Sequence, residues 1–297
     1  MKNLNYAGYE AVRSRGWLWA HRWLVARRLS QLGILAVFLV GPWYGVWIVK
    51  GNLNSSLTLD VLPLTDPYLF MQTVIASFSM TQEMLIGAAI VVLFYILVGG
   101  RVYCSWVCPI NIVTDIAAWL RVWFNLKGSN AGFSRNTRYW LLGMTLLLAL
   151  FTGSIAWELV NPVSIFHREI IFSVTTAWLI VAAIFLYDLL IQNNGWCGHL
   201  CPVGAFYSLL GKLSVLRIEA ADRKHCNDCM DCFTVCPEPQ VITQPLKGKD
   251  AEISPIILSG NCTNCGRCLD VCSKNVFRFT TRFGSDASAG TTMENTS

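Results

Sequence analysis

Charge is scarce in this sequence of 297 residues: 14% are Asp, Glu, Lys or Arg, while 54% are apolar. Ordinary soluble domains carry about a quarter charged residues, so the shortage argues against a chain solvated on all sides and points to lipid. Histidine is scarcer still, with four copies at His21, His167, His199 and His225. None falls mid-way along a long apolar run, where the axial ligands of a membrane haem would have to sit, so no haem is expected. No cleavable leader is expected either. The first apolar run is too long for a signal-peptide core and no small-x-small site follows it, so it reads as a retained anchor. The net charge of +5 is modest, its placement matters more than its size, and no nucleic-acid partner is expected. What the chain does have is twelve cysteines and twelve tryptophans. Tryptophan suits long stretches at a bilayer interface. The cysteine spacing is too regular for a secreted disulfide scaffold and favours metal ligation in a reducing compartment.

Four runs are long and apolar enough to span a hydrocarbon core of roughly 30 Å: Leu29 to Val49, Met84 into Gly99-Gly100, Tyr139 to Val160, and Ile170 to Ile191. The second has the shortest uninterrupted core, Met84 to Val98. Basic residues fix the orientation. Lys50 and Arg168 alone lie in the loops after spans one and three, and 21 of the 23 basic residues fall on the other side. Both termini are therefore expected in the cytoplasm, with a multi-pass chain in the bacterial inner membrane.

The membrane part repeats. Asp66-Pro67 and Asn161-Pro162 each precede an apolar run that leads into Cys-x-x-x-Cys-Pro, with Pro67 37 residues before Cys104 and Pro162 35 before Cys197. This predicts two helical hairpins in the same orientation, related by a pseudo-twofold along the membrane normal. After Arg217 hydropathy falls and charge rises. The expected division is a basic N-terminal segment (1–28), a four-helix membrane domain (29–216), an α+β two-cluster ferredoxin-like domain (217–283) and a small, polar tail read as disordered (284–297).

The strongest motif is Cys226-x2-Cys229-x2-Cys232-x3-Cys236-Pro237, followed by Cys262-x2-Cys265-x2-Cys268-x3-Cys272. Three closely spaced thiolates wrap one cubane while the fourth, on the next turn, points to the other. Cys226, Cys229, Cys232 and Cys272 should hold one [4Fe–4S] cluster, and Cys262, Cys265, Cys268 and Cys236 the second. Zinc ribbons use paired Cys-x-x-Cys instead of this four-cysteine run. Ser273 stands where the first run has Pro237, which removes no ligand.

Cys104-Ser105-Trp106-Val107-Cys108-Pro109 and Cys197-Gly198-His199-Leu200-Cys201-Pro202 form the second signal. On an α-helix, i and i+4 share a face, so each motif can present two sulfurs together. A further metal or cluster, a dithiol relay, and simple packing of small residues at a helix junction are all compatible with the spacing. His199 could ligate or accept a proton; His225 reads as a solvated loop residue. The acids near the spans are Asp66, Glu83, Asp115, Glu158, Glu169 and Asp188. Of these Glu158, beside Trp157 and near Pro162, best suits a proton acceptor.

Together these residues resemble the NapH family, ferredoxin-type membrane subunits encoded with periplasmic nitrate reductases. The likeness rests on Gly41-Pro42-Trp43, Pro63-Leu64-Thr65-Asp66-Pro67, Tyr103 to Pro109, Gly195-Trp196-Cys197-Gly198-His199 and Cys229-Met230-Asp231-Cys232-Phe233, and it extends along nearly the whole chain. The resemblance implies a quinol dehydrogenase subunit taking electrons from membrane quinol. It also implies a periplasmic iron–sulfur partner, NapG, and delivery towards periplasmic nitrate reductase. Competing functions are a membrane iron–sulfur assembly or maturation factor for a respiratory metalloenzyme, and an anchor whose clusters are structural.

Overall fold

The computed structural model describes residues 7–126, 132–172, 177–248 and 253–284. Residues 285–297 of the polar tail, Lys127, and residues 173–176 near the start of the expected fourth span lie outside the described residues.

Two short helices open the chain, α1 (Tyr9–Arg15) and α2 (Trp17–Ala20), followed by the 23-residue α3 (Arg22–Tyr44). A meander β1 (Val49–Gly51), β2 (Ser55–Thr58), β3 (Leu62–Thr65) leads to α4 (Pro67–Ser77) and α5 (Gln82–Val98). A π-helical turn, π1 (Tyr103–Val107), precedes α6 (Ile110–Trp123). Next come α7 (Thr137–Thr152), α8 (Pro162–Phe172), α9 (Ala177–Leu186), the turns π2 (Tyr187–Ile191) and π3 (Trp196–Leu200), and α10 (Pro202–Gly211). The C-terminal part holds β4 (Leu216–Glu219), α11 (Asp231–Val235), α12 (Gln240–Lys247), α13 (Arg267–Val271) and β5 (Arg278–Thr281).

Among the described residues, α3 is the one helix long and apolar enough by itself to cross a membrane; α5, α7 and Trp178–Ile191 are shorter apolar helices. Its limits differ from the expected Leu29 to Val49. It starts at Arg22, because arginine, leucine and alanine propagate a helix as well as the apolar run does, and it stops at Tyr44 before Gly45 at φ 75°. α5 starts at Gln82, two residues before the expected Met84, and ends at Val98, where Gly99 at φ 129° closes it. The third run does not stay helical to Val160: Gly153, at φ 63°, closes α7 at Thr152. In the fourth, the described residues fall in α8 up to Phe172 and in α9 from Ala177. Pro162 starts α8 ahead of the apolar run, and the last turn of the run is π2.

The chain divides into two compact bodies, one made of residues 1–28, 95–105 and 208–297, the other of 29–94 and 106–207. In the first, β4 pairs antiparallel with β5, Leu216 opposite Thr281 and Glu219 opposite Arg278. Ile218, Ile242, Leu246, Ile257, Leu269, Val276 and Phe277 form its core. The Arg101 guanidinium meets Glu238 at 2.7 Å inside this body, and Ser105 Oγ donates to the Thr263 carbonyl at 2.8 Å. α1 and α2 lie against α13: Gly8 N–H donates to Asp231, and the N–H groups of Trp23 and Leu24 donate to Asp270.

In the second body α4 packs on α7, α8 on α9, and α6 on α9 and π2. Ile110, Val163, Val181 and Ile184 form a buried cluster, with Cys108 and Trp196 against it. Arg121, at the far end of α6, donates to the carbonyls of Asp188 and Leu189, each at 3.0 Å. Pro67 and Pro162 both sit at the first turn of their helices, where proline's missing N–H is no loss.

Candidate iron–sulfur and membrane cysteine sites

The two four-cysteine runs fold alike. In the first, Asp228 and Met230 have φ of 57° and 64°; in the second, Asn264 and Gly266 have 47° and 73°. These left-handed residues flank the second cysteine of each run and curl the loop around a centre. Asp, Asn and Gly tolerate that conformation, whereas Met230 is strained. The third cysteine then enters a short helix, α11 or α13, and the fourth leaves it in extended backbone, Cys236 at ψ 127° and Cys272 at ψ 106°.

Cys226, Cys229, Cys232 and Cys272 line one cavity of about 370 Å³ including its mouth, with Phe233, Leu246 and Phe277 among its apolar walls. The fourth cysteine of each run faces the first three of the other. Cys232 feels Cys272, Cys229 and Cys226 as like charges, and Cys236 feels Cys265 and Cys262. Burial, then these neighbours, pushes Cys232 up to about 12; burial pushes Cys262 up to about 12. Cys236 and Cys268 are raised for the same reasons. Only the thiolate binds metal, so such a ring holds its protons until cations displace them. Among the described residues no group of three or more His, Cys, Asp or Glu side chains converges as one ion requires. Thiols spread around a cavity fit a cubane with iron at its corners, and fit poorly a zinc ion that draws four sulfurs to about 2.3 Å.

Cys104 and Cys197 lie within π1 and π3, and Cys108 and Cys201 follow just after each turn. The α-helical i, i+4 geometry expected from the spacing is therefore replaced by one wider turn in both copies, with Cys201 N–H donating to the Trp196 carbonyl at 2.9 Å. Single π turns recur at functional sites. All four cysteines are partly buried. Cys104 belongs to the first body, and Cys108, Cys197 and Cys201 to the second. His199 is buried within π3. Asp188 is fully buried, and its Oδ1 accepts the Trp196 N–H at 2.9 Å, fixing the start of π3. The sequence marked Asp188 only as an acid near a span; the bond spans eight residues and has no spacing signature.

Two other acids lie near one another in the second body. Asp66 keeps some surface at its edge while its carboxylate is enclosed, and Tyr207 donates to it at 2.6 Å. Burial pushes this carboxyl up to about 6 against the opposing pull of the Tyr207 bond, and nearby Glu158 raises it further. Glu158 accepts from Asn54 Nδ2 at 2.7 Å and from Asn161 Nδ2 at 3.4 Å. His225 is exposed as expected, but it ends a short 3-10 turn (Arg223–His225) and pairs with Asp222 at 2.6 Å.

A family model described as a 4Fe-4S binding domain matches twice, at residues 80–127 and 174–220, once on each copy of the membrane repeat. A 4Fe-4S dicluster domain matches residues 225–276. The ferredoxin-type protein NapH of Haemophilus influenzae is 50% identical over 94% of this chain and 96% of its own length. NapH of Escherichia coli is 47% identical over 95% and 97%. The methylamine utilization ferredoxin-type protein MauN of Methylorubrum extorquens is 50% identical over 92% and 94%. No solved structure matches the chain.

Proposed function

The chain belongs to the family of ferredoxin-type proteins that includes NapH, and from that premise we propose that it is the membrane subunit of a quinol dehydrogenase. It takes electrons from membrane quinol and passes them through [4Fe–4S] clusters towards a periplasmic nitrate reductase, by way of a periplasmic iron–sulfur partner of the NapG kind. The observation that carries this reading is the coexistence in one chain of a two-run ferredoxin domain and a twice-repeated cysteine motif on apolar helices.

Cys226, Cys229, Cys232 and Cys272 hold one cluster; Cys262, Cys265, Cys268 and Cys236 hold the other. The crossed thiol neighbourhoods support this pairing. A bound cubane supplies one-electron steps at a potential set by burial and by hydrogen bonds to sulfur. The chain keeps water from it with Phe233, Leu246 and Phe277. Cys104, Cys108, Cys197 and Cys201 act as ligands or redox thiols, and the 4Fe-4S binding description of both repeats favours ligation. The four apolar segments around α3, α5, α7 and α9–π2 cross the inner membrane with both termini in the cytoplasm, as the basic-residue bias requires.

The MauN relatives favour a second reading, in which the same electron-transfer core serves a methylamine-utilization system. To test the first, the protein is purified anaerobically, given a reduced quinol analogue and followed by electron paramagnetic resonance. Reduced cluster signals that vanish in the Cys104→Ser/Cys197→Ser variant support it. Clusters that dithionite reduces and quinol does not, with or without the iron–sulfur partner, overturn it and leave the assembly-factor role.

A further inference from the structure

Quinol oxidation needs a home for protons as well as electrons, and the second body holds two neighbouring acids, one of them enclosed. Asp66 and Asn161 occupy the same place in the two repeats, directly before the proline that starts α4 or α8. Asn161 behaves as a helix cap there: its Oδ1 accepts the Val163 N–H at 3.1 Å. The amide therefore meets the folding requirement of this position. Asp66 makes no capping bond of that kind; its carboxylate takes the Tyr207 hydroxyl at 2.6 Å and lies within reach of the Tyr68 and Leu69 N–H groups of the first turn. An acid stands where the other repeat has an amide.

Its surroundings lead in two directions. On one side Tyr68, fully buried, has its ring 5.7 Å from Phe206 and lies within electrostatic reach of Cys201. On the other, the Asp66 N–H donates to the Asn54 carbonyl at 2.7 Å, and Asn54 Nδ2 donates to Glu158 at 2.7 Å. Asn54, 4% exposed, thus holds the Asp66 backbone and the Glu158 carboxylate on one buried residue, close enough for Glu158 to act on the Asp66 carboxylate through space, while Glu158 sits among the exposed residues Leu159 and Val160. The groups facing Asp66 are thus Tyr207 from α10, Tyr68 from its own helix, and Glu158 from the segment before α8.

We infer that Asp66 is the proton-accepting residue for quinol oxidation beside the second Cys-x-x-x-Cys-Pro motif, and that Glu158 passes the proton to the aqueous phase. The inference rests on the quinol dehydrogenase reading. Oxidising one quinol to quinone breaks two O–H bonds and releases two protons and two electrons. The electrons leave singly to oxidised iron–sulfur clusters of the chain. Each proton forms an O–H bond on the Asp66 carboxylate in turn, moves to Glu158 and then to water, which restores Asp66 for the next. Tyr207 is a positioning residue, holding the carboxylate by its hydroxyl.

Asp66→Asn tests this. In the parent, the rate of quinol-driven cluster reduction rises as pH is raised through about 6, because only the ionised carboxylate can accept. The variant loses about 100-fold or more in that rate and its pH profile flattens, while dithionite still gives the parental cluster spectrum. Independently of activity, an infrared pH titration of the oxidised protein shows a protonated-carboxyl band that Asp66→Asn abolishes and Glu158→Gln retains. If Asp66→Asn fails to assemble clusters, Glu158→Gln and Tyr207→Phe carry the test, each slowing quinol-driven reduction without altering the dithionite spectrum. A parent that quinol cannot reduce refutes the dehydrogenase reading. A parent that quinol does reduce, with variants matching it in rate and pH profile, refutes this inference alone.

Discussion

Removing the Arg101 guanidinium should be the most damaging single change outside the cysteines. Arg101 and Glu238 meet at 2.7 Å with side chains 1% and 2% exposed, and Arg101 also donates to the Asn261 carbonyl at 3.2 Å. Arg101→Met takes the 2.7 Å guanidinium away from the buried Glu238 carboxylate, and breaking a buried pair by removing one partner costs about 3–5 kcal/mol. The lower figure alone is about a hundredfold in an equilibrium constant. In a body of this size it lowers the melting midpoint by about 10 °C or more. Exchanging both partners for apolar residues of similar volume, Arg101→Met/Glu238→Met, removes the charge along with its need for a partner and recovers most of the loss. The assay is thermal loss of the cluster absorption bands, followed anaerobically in detergent at one scan rate for parent, singles and double. An Arg101→Met variant that melts with the parent, or a double variant as weak as the worse single, refutes the reasoning.

Three further outcomes follow from the same geometry. Cys272→Ser should remove the same spectral component as Cys226→Ser, and Cys236→Ser the same as Cys262→Ser, each lowering bound iron by about four atoms; loss grouped by run instead of across runs refutes the crossed assignment. Cluster-free protein should lose stability in alkali. Free thiols ionise near 8.5 while folding holds Cys232 and Cys262 protonated to about 12, so the unfolded chain binds fewer protons between these values. Stability is then full below about pH 8.5 and falls as pH rises, and a urea midpoint at pH 10 equal to or above that at pH 7.5 contradicts this. Gly99→Ala should destabilise by about 1–3 kcal/mol, because φ is 129° and the added Cβ would stand 2.5 Å from Asn264 Nδ2; an unchanged melting midpoint refutes it.

What the sequence disclosed depended on range. The crossed cysteine neighbourhoods follow from spacing within each run, and α5 from an apolar stretch closed by Gly99. Hydropathy overran the end of the third segment because it averages over caps: Gly153 stops a helix whose neighbours are still apolar. The π turns left no trace either, since Cys-x-x-x-Cys has the same spacing in an α or a π turn. Asp66, Glu158 and Asp188 were visible as acids near apolar runs. Their partners Tyr207, Asn54 and the Trp196 N–H were not, because these bonds are made by the tertiary fold. Arg101 entered the sequence reading only as a count towards orientation, and its partner lies 137 residues away.

The N-terminal helices carry a consequence for how the protein comes to be made. Residues 8–24 leave the ribosome well before their partners: the carboxylates that receive the N–H groups of Gly8, Trp23 and Leu24 belong to Asp231 and Asp270, over two hundred residues later in translation. The earlier segment settles only when the cysteine-run domain has wrapped its loops. Arg15 then donates to the backbone carbonyl of Cys272, the terminal cysteine of the second run. Closure of this strap is therefore a late maturation step, and an N-terminal fusion placed against Gly8 would press on it directly.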